Sequence, residues 1–326
     1  MRSADRRIVL GLYRSHHRRE LLGHALDRGV TDLDTAYNYH GGASHRTLVR
    51  VAGDLLSRFQ ISTKVGYFPN GDHTEHSLDT ARLRQAISQS AEELSCQPAV
   101  VLLHNPETTV AWVEPAHGRG LLSDAIDVLQ QACKTGECGA WGISTWDPGP
   151  LLTVLDSSDP ADTLPVPDAL MIRGGLLVNA ATLHAAEWLC ARLGVDHARR
   201  WAMSPFGGIA DAEVWDQANP HTFLSPGQPA SNRQAAFRPA YELPGADRVA
   251  LSTNSAQHLD ELLHATTLDV DQAKLVKYRQ LLAARQSASG GETELVNQSE
   301  FTAAARRRGG GPPASAGPSG QGDHRS

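Results

Sequence analysis

Short apolar runs alternate with segments of helical spacing along most of this chain. The first run covers residues 8–12. Helical spacing follows over 18–28, carried by Leu21, Leu22, Ala25 and Leu26, until Gly29 stops it. The same alternation predicts further strands at 31–34, 59–64, 99–103, 138–143, 169–172, 200–203 and 248–251. It predicts helices at 44–56, 78–94, 121–134, 148–155, 179–193, 256–265 and 271–285. Strands that alternate with helices argue for a parallel sheet. Eight such units fit an α/β fold of the (β/α)8 TIM barrel type, which takes about 250 residues. An open, doubly wound sheet is the alternative, but it usually announces a glycine-rich turn after its first strand. Here that stretch reads GLYRSHHRRE and contains no G-x-G-x-x-G.

Two segments break the rhythm. Residues 207–245 are rich in Pro, Gly, Asn and Gln and follow the seventh strand. In a barrel, a long loop there lies on the face where lids and cofactor clamps sit. From residue 303 the chain reads AAARRRGGGPPASAGPSGQGDHRS, with almost no large apolar side chain to bury. The expected organisation is a barrel over 1–302 and a disordered tail over 303–326.

Composition narrows the function classes. The chain has 326 residues, of which 40% are hydrophobic, and a formal net charge of -6. That balance gives no electrostatic reason to expect a nucleic-acid partner. No apolar run approaches the ~20 residues that cross a bilayer. A cytoplasmic protein without a membrane partner is expected. Cys96, Cys133, Cys138 and Cys190 form no C-x-x-C pair, so no metal site is expected.

Candidate chemistry then follows from position. Catalytic groups of a barrel sit at the C-terminal ends of its strands. Asp34 and Tyr39 follow the second strand, Lys64 ends the third, and His104 ends the fourth. Each alone has an ordinary explanation as a rim aromatic, a solvated charge or a hydrogen-bonding histidine. Together they suit reduction of a carbonyl, whose developing alkoxide needs a proton and electrostatic support. Tyr39 would supply the proton, Lys64 would lower the phenol's pKa, Asp34 would orient Lys64, and His104 would hold the carbonyl.

The segments that carry these residues resemble the aldo/keto reductase family. DTAYNY matches its motif after the second strand, ISTKVG its lysine strand and VVLLHNPE its histidine strand. GISTW and MSPFGG resemble its later nicotinamide and pyrophosphate segments, and the likeness runs over about residues 8–265. The resemblance implies NADPH, or NADH, bound across the barrel mouth without a Rossmann fold. It implies Tyr39 as general acid and Lys64 as its activator. It also implies a cofactor grip from Ser144, Thr145, Met171, Met203, Ser204, Phe206, Gly207, Ser252, Ser255 and His258.

Several positions depart from the family pattern. Thr145 replaces an Asn, Met171 a Gln and Met203 an aromatic residue that stacks on nicotinamide. His258 stands where an Arg meets the 2′-phosphate, and Leu262 where an Asn commonly contacts adenine. Arg233 or Arg238 in the long loop are potential substitutes for the missing Arg. The expected function is reduction of an aldehyde or ketone, a small-molecule carbonyl substrate that is polar or sugar-like given the polar rim (Tyr13, Arg14, His16, Tyr67, Asn105, Arg173). The alternatives are a cofactor-binding regulatory subunit of the same fold, favoured by the methionine substitutions, and a barrel lyase or isomerase reusing Lys and Tyr.

Overall fold

The computed structural model describes residues 6–71, 73–157, 163–208 and 213–288. The tail expected over 303–326 lies outside the described residues.

Among the described residues there are ten strands: β1 (Arg7–Gly11), β2 (Asp32–Asp34), β3 (Gln60–Val65), β4 (Tyr67–Asn70), β5 (His73–His76), β6 (Val100–His104), β7 (Trp141–Thr145), β8 (Ala169–Arg173), β9 (Arg200–Met203) and β10 (Arg248–Leu251). Eight of them close into a barrel in the order β1-β10-β9-β8-β7-β6-β3-β2. Every barrel pairing is parallel. The fold is therefore a (β/α)8 barrel, as the periodicity predicts.

The helices are α1 (Arg19–Asp27), α2 (Ser44–Ala52), α3 (Thr80–Leu94), α4 (Glu107–Val110), α5 (Pro115–Thr135), α6 (Gly149–Asp156), α7 (Ala180–Arg192), α8 (Val214–Gln217), α9 (Asn232–Phe237), α10 (Ala256–Ala265) and α11 (Gln272–Ala288). Their apolar stripes pack on the outward faces of the strands. Leu83, Ile87, Leu122 and Leu129 meet Val101, Leu103 and Ile143 on one side. Leu22, Leu26, Leu48 and Leu259 meet Ile8, Leu10, Leu33 and Val249 on the other. Successive strand residues alternate between the two faces. The barrel interior accordingly holds its own cluster of Val9, Leu102, Ala169, Met171, Trp201 and Ala250. Gly142 lies within it because a Cβ there would stand 2.2 Å from the Ala169 carbonyl oxygen.

Three regions differ from the sequence expectation. β4 and β5 form an antiparallel hairpin, Tyr67 paired with His76 and Asn70 with His73. Its strands are mostly polar and give no apolar alternation. α5 starts at Pro115 rather than at residue 121. The two glycines of HGRG have poor helix propensity, but Gly118 is close-packed on Val154 and Val110, and tertiary contact overrides propensity. Within 207–245 the chain forms α8 and α9, and α9 is opened by a capping box in which Ser231 and Gln234 satisfy each other's backbone amides. Among the described residues no helix is long and apolar enough to cross a membrane.

Candidate active site

The C-terminal mouth of the barrel gathers the four relay candidates. Asp34 and Lys64 point inward from neighbouring strands, β2 and β3. They are 5% and 2% exposed. Lys64 Nζ donates to Asp34 Oδ2, and also to the Thr35 carbonyl at 3.1 Å. Ser62 Oγ donates to Asp34 Oδ1 at 2.8 Å. Both carboxylate oxygens are thus engaged, which fixes the ammonium within the mouth. A buried ion pair is tolerable only with its remaining lone pairs and protons satisfied in this way.

Tyr39 opens a tight turn after β2, in which His40 and Gly41 take positive φ of 54° and 63°. The half-buried ring lies over the relay, with Lys64 Nζ 5.3 Å from its centroid. The His104 ring stands edge-on to it at 6.0 Å. Burial, then the negative charge of Asp34, then Tyr13 push the Tyr39 phenol well above its ordinary range. This corrects the sequence expectation of a phenol lowered by Lys64. Burial and Asp34 outweigh the paired Lys64 at the resting phenol, so Tyr39 is protonated at neutral pH.

His104 ends β6. Burial first, then Lys64 and His76, hold its pKa well below the usual imidazole range, so the ring is neutral. Its Nδ1 is buried without a partner. The β4–β5 hairpin supports it from outside. A His76 ring nitrogen, Nε2, donates to the His104 carbonyl at 2.8 Å, while Nδ1 accepts from Thr109 Oγ1 at 2.6 Å. The Tyr67 ring packs edge-on against both imidazoles, 4.8 Å from His76 and 4.9 Å from His104. Gly66 makes room, since a Cβ there would meet His76 and the His104 backbone at 3.1 and 3.2 Å.

The opposite side of the mouth holds the predicted cofactor residues. Ser144 points inward, its Oγ 4.0 Å from the Met203 sulfur. Thr145 alternates outward and is fully buried, its hydroxyl beside the carboxyl of Glu107 but outside hydrogen-bond geometry. Met171 is sealed in the barrel interior, a layer below the mouth. Two residues on, Arg173 occupies the same inward face at the strand end and lies 4.6 Å from the Trp146 ring centroid. Ser204 and Gly207 take positive φ of 56° and 69°, Gly208 of 143°. The Ser204–Gly207 turn is closed by a 2.9 Å bond from Gly207 N to the Ser204 carbonyl. Phe206 anchors it against Phe237 and Trp215. Ser255 caps α10, accepting from His258 N at 3.3 Å, and Ser252 stands exposed just before it.

The two arginines proposed to replace the missing phosphate partner diverge. Arg238 is wholly buried, its Nε bonded to the Leu268 carbonyl at 2.7 Å and Nη2 to Glu242 at 2.9 Å. Arg233 pairs with Glu261 at 2.6 Å, on the helix that carries His258. Leu262 is buried in the core.

Glu107 was not singled out from sequence. It opens α4, is 6% exposed, and its Oε1 accepts from Trp146 N at 2.6 Å and Asp147 N at 3.2 Å. Burial raises its pKa from 4.5 to about 7 against the opposing pull of those amides. No sequence pattern marks this contact, because the acid follows an ordinary loop proline.

A family model described as the aldo/keto reductase family matches residues 9–162. Among curated proteins none matches this sequence. Of solved structures, the holo form of an aldo-keto reductase from Bacillus halodurans is similar at 16% identity and TM-score 0.64, covering 84% of this chain and 91% of its own. An aldo-keto reductase from Klebsiella pneumoniae, solved in complex with NADPH, is similar at 15% identity and TM-score 0.56, covering 84% of this chain and 90% of its own. At such identities the structural likeness speaks to the fold. The sequence match over 9–162 lies on the strands that carry Asp34, Lys64 and His104, and over that stretch the chain is similar to the aldo/keto reductase family.

Proposed function

We propose that this chain reduces the carbonyl of a small polar or sugar-like aldehyde or ketone to an alcohol, with NADPH as the reductant and NADH as the alternative. The observation that carries the reading is the assembly at one rim of a fixed ammonium (Lys64 on Asp34), a protonated phenol (Tyr39) and a neutral imidazole (His104).

The residues on the far side of the mouth suit the cofactor. Ser204, Gly207 and Gly208 take positive φ in this loop, and such turns can present backbone amides to phosphate oxygens. The capped N-terminus of α10 lies in the loop region after the neighbouring strand β10. Ser144 is the inward hydroxyl for a carboxamide. When bound, the nicotinamide supplies the hydride. The chain's own groups manage charge and proton. His104 donates a hydrogen bond to the substrate oxygen without adding a second cation beside Lys64. Tyr39 passes its proton to that oxygen as negative charge develops there. Lys64 stabilises the phenolate left behind, and Asp34 keeps the ammonium from moving with it. Tyr13, Tyr67 and Trp146 give the mouth flat faces, while Arg14 and Arg173 give it donors.

The test is a panel of aldehydes mixed with the purified chain and NADPH or NADH, followed by loss of reduced-nicotinamide absorbance. Turnover of hydroxylated aldehydes ahead of long-chain aliphatic ones is expected. Cofactor binding with no turnover of any carbonyl would instead favour the regulatory-subunit reading.

A further inference from the structure

Glu107 is a buried acid that the proton relay does not use. Among the described residues no lysine or arginine forms an ion pair with it, and the groups hydrogen-bonded to its carboxyl are the backbone amides of Trp146 and Asp147. Burying a carboxyl without a counter-charge is costly. An apolar side chain here would avoid that cost but would leave the amides of Trp146 and Asp147 without their acceptor.

What it holds is the rim of β7. The loop His104–Asn105–Pro106–Glu107 runs from the relay histidine and grips the end of that strand twice. Asn105 N donates to the Ser144 carbonyl at 2.7 Å, with Asn105 at a positive φ of 53°. Glu107 Oε1 then takes the next two free amides, those of Trp146 and Asp147, in one fork. Trp146 in turn stacks with Arg173 of β8. One carboxyl therefore links the histidine strand to both strands on the nicotinamide side.

We propose that Glu107 is a positioning residue for the nicotinamide end of the cofactor: its carboxyl clamps the Trp146–Asp147 turn so that Ser144 and Trp146 keep their places at the mouth. The inference rests on the cofactor reading given above. It concerns how the grip is held in place, separately from the relay chemistry. Glu107 Oε2 and Thr145 Oγ1 are both buried without partners, so the fork on Oε1 is the contact that fixes this carboxyl.

The experiment is titration of the full chain with NADPH alone, followed by protein fluorescence, for wild type, Glu107→Ala and Glu107→Gln. Turnover at saturating NADPH is measured in parallel. Gln keeps an oxygen acceptor in place of Oε1, whereas Ala removes it. Glu107→Ala is expected to weaken NADPH binding about tenfold, equivalent to about 1.4 kcal/mol, with kcat at saturating cofactor held within about threefold. Glu107→Gln is expected to bind within about threefold of wild type. If Glu107→Ala does not fold, Glu107→Asp, which is one methylene too short to reach both amides, is expected to show the same loss of affinity. Binding by the shortened variant within twofold of wild type overturns the clamp, as does a loss in Glu107→Gln equal to that in Glu107→Ala. A wild-type chain that binds neither NADPH nor NADH overturns the cofactor reading itself, and the clamp with it.

Discussion

The two sides of the barrel mouth are built differently. On the β2–β3–β6 side, three of the four residues proposed to carry the chemistry sit at strand ends, Tyr39 sits in the turn after β2, and two of them, Asp34 and Lys64, are bonded to each other. Asp34 has both oxygens engaged, Lys64 is anchored on two acceptors, and the His104 backbone is held by His76. On the β7–β10 side, the proposed grip draws on loop backbone at positive φ, the N-terminus of α10 and the half-buried Met203, while Met171 lies below in the barrel interior. Thioethers pack adaptably and give little directional control. On the proposed function, the side that would carry the reaction is held more rigidly than the side that would hold the cofactor. Substitutions on the first side are expected to abolish turnover, and those on the second to shift affinity.

The largest expected effect comes from Lys64→Met. It removes the cation that stabilises the phenolate and leaves Asp34 buried with no counter-charge. A fall in kcat of roughly 10²–10⁴-fold is expected, together with a loss of stability on the order of 3–5 kcal/mol, read from a urea melt. A variant as stable as wild type would show that the pair is not the anchor of the rigid side.

A smaller effect is set by pH. Folded Glu107 keeps its proton up to about pH 7, whereas an unfolded glutamate releases it near 4.5. The folded state binds more protons across that window, so this group's contribution to stability is full below it and declines as pH rises through it. The decline is on the order of 3 kcal/mol. Glu107→Gln removes it, so the stability difference between wild type and variant, from urea melts at several pH values, should change between pH 4.5 and 7 and level off above. A constant difference across that range would contradict the buried, charge-free environment of this carboxyl.

On the less rigidly held side, Gly207→Ala would place a Cβ 2.9 Å from Leu177 at a φ of +69°. A destabilisation of about 1–2 kcal/mol is expected, with weaker NADPH binding and kcat retained at saturation. The smallest effect is that of His258→Arg. An added guanidinium at the half-buried position 258 in the first turn of α10 is expected to improve NADPH over NADH by about fivefold, on the order of 1 kcal/mol, in paired fluorescence titrations. No change in that ratio would place the 2′-phosphate elsewhere.

The same contrast explains what the sequence makes legible. Barrel interiors are normally filled by branched apolar residues. Asp34, Lys64 and His104 are polar residues at the inward ends of apolar strands, so each stands out against its surroundings. The capping box of Ser231 and Gln234 was equally legible, yet the Pro- and Gly-rich composition around it suggested an uninterrupted loop. The β4–β5 hairpin had one cue, the Asn70-Gly71 pair at its turn, but its strands lack an apolar face. The direction of the Tyr39 shift depends on how Asp34 and Lys64 divide their charge, which only their three-dimensional pairing reveals. Glu107 was invisible for a related reason. Its meaning lies in two backbone amides about forty positions along the chain, and backbone amides leave no mark in a sequence.

In the proposed reaction Tyr39 is the proton donor of a relay that works separately from the cofactor grip. The most direct measurement is Tyr39→Phe, with NADPH affinity from fluorescence titration and single-turnover reduction of the best aldehyde from the panel. NADPH binding within about twofold of wild type and a single-turnover rate lowered roughly 10²–10⁴-fold are expected. A Tyr39→Phe chain that reduces the aldehyde at the wild-type rate would contradict that role.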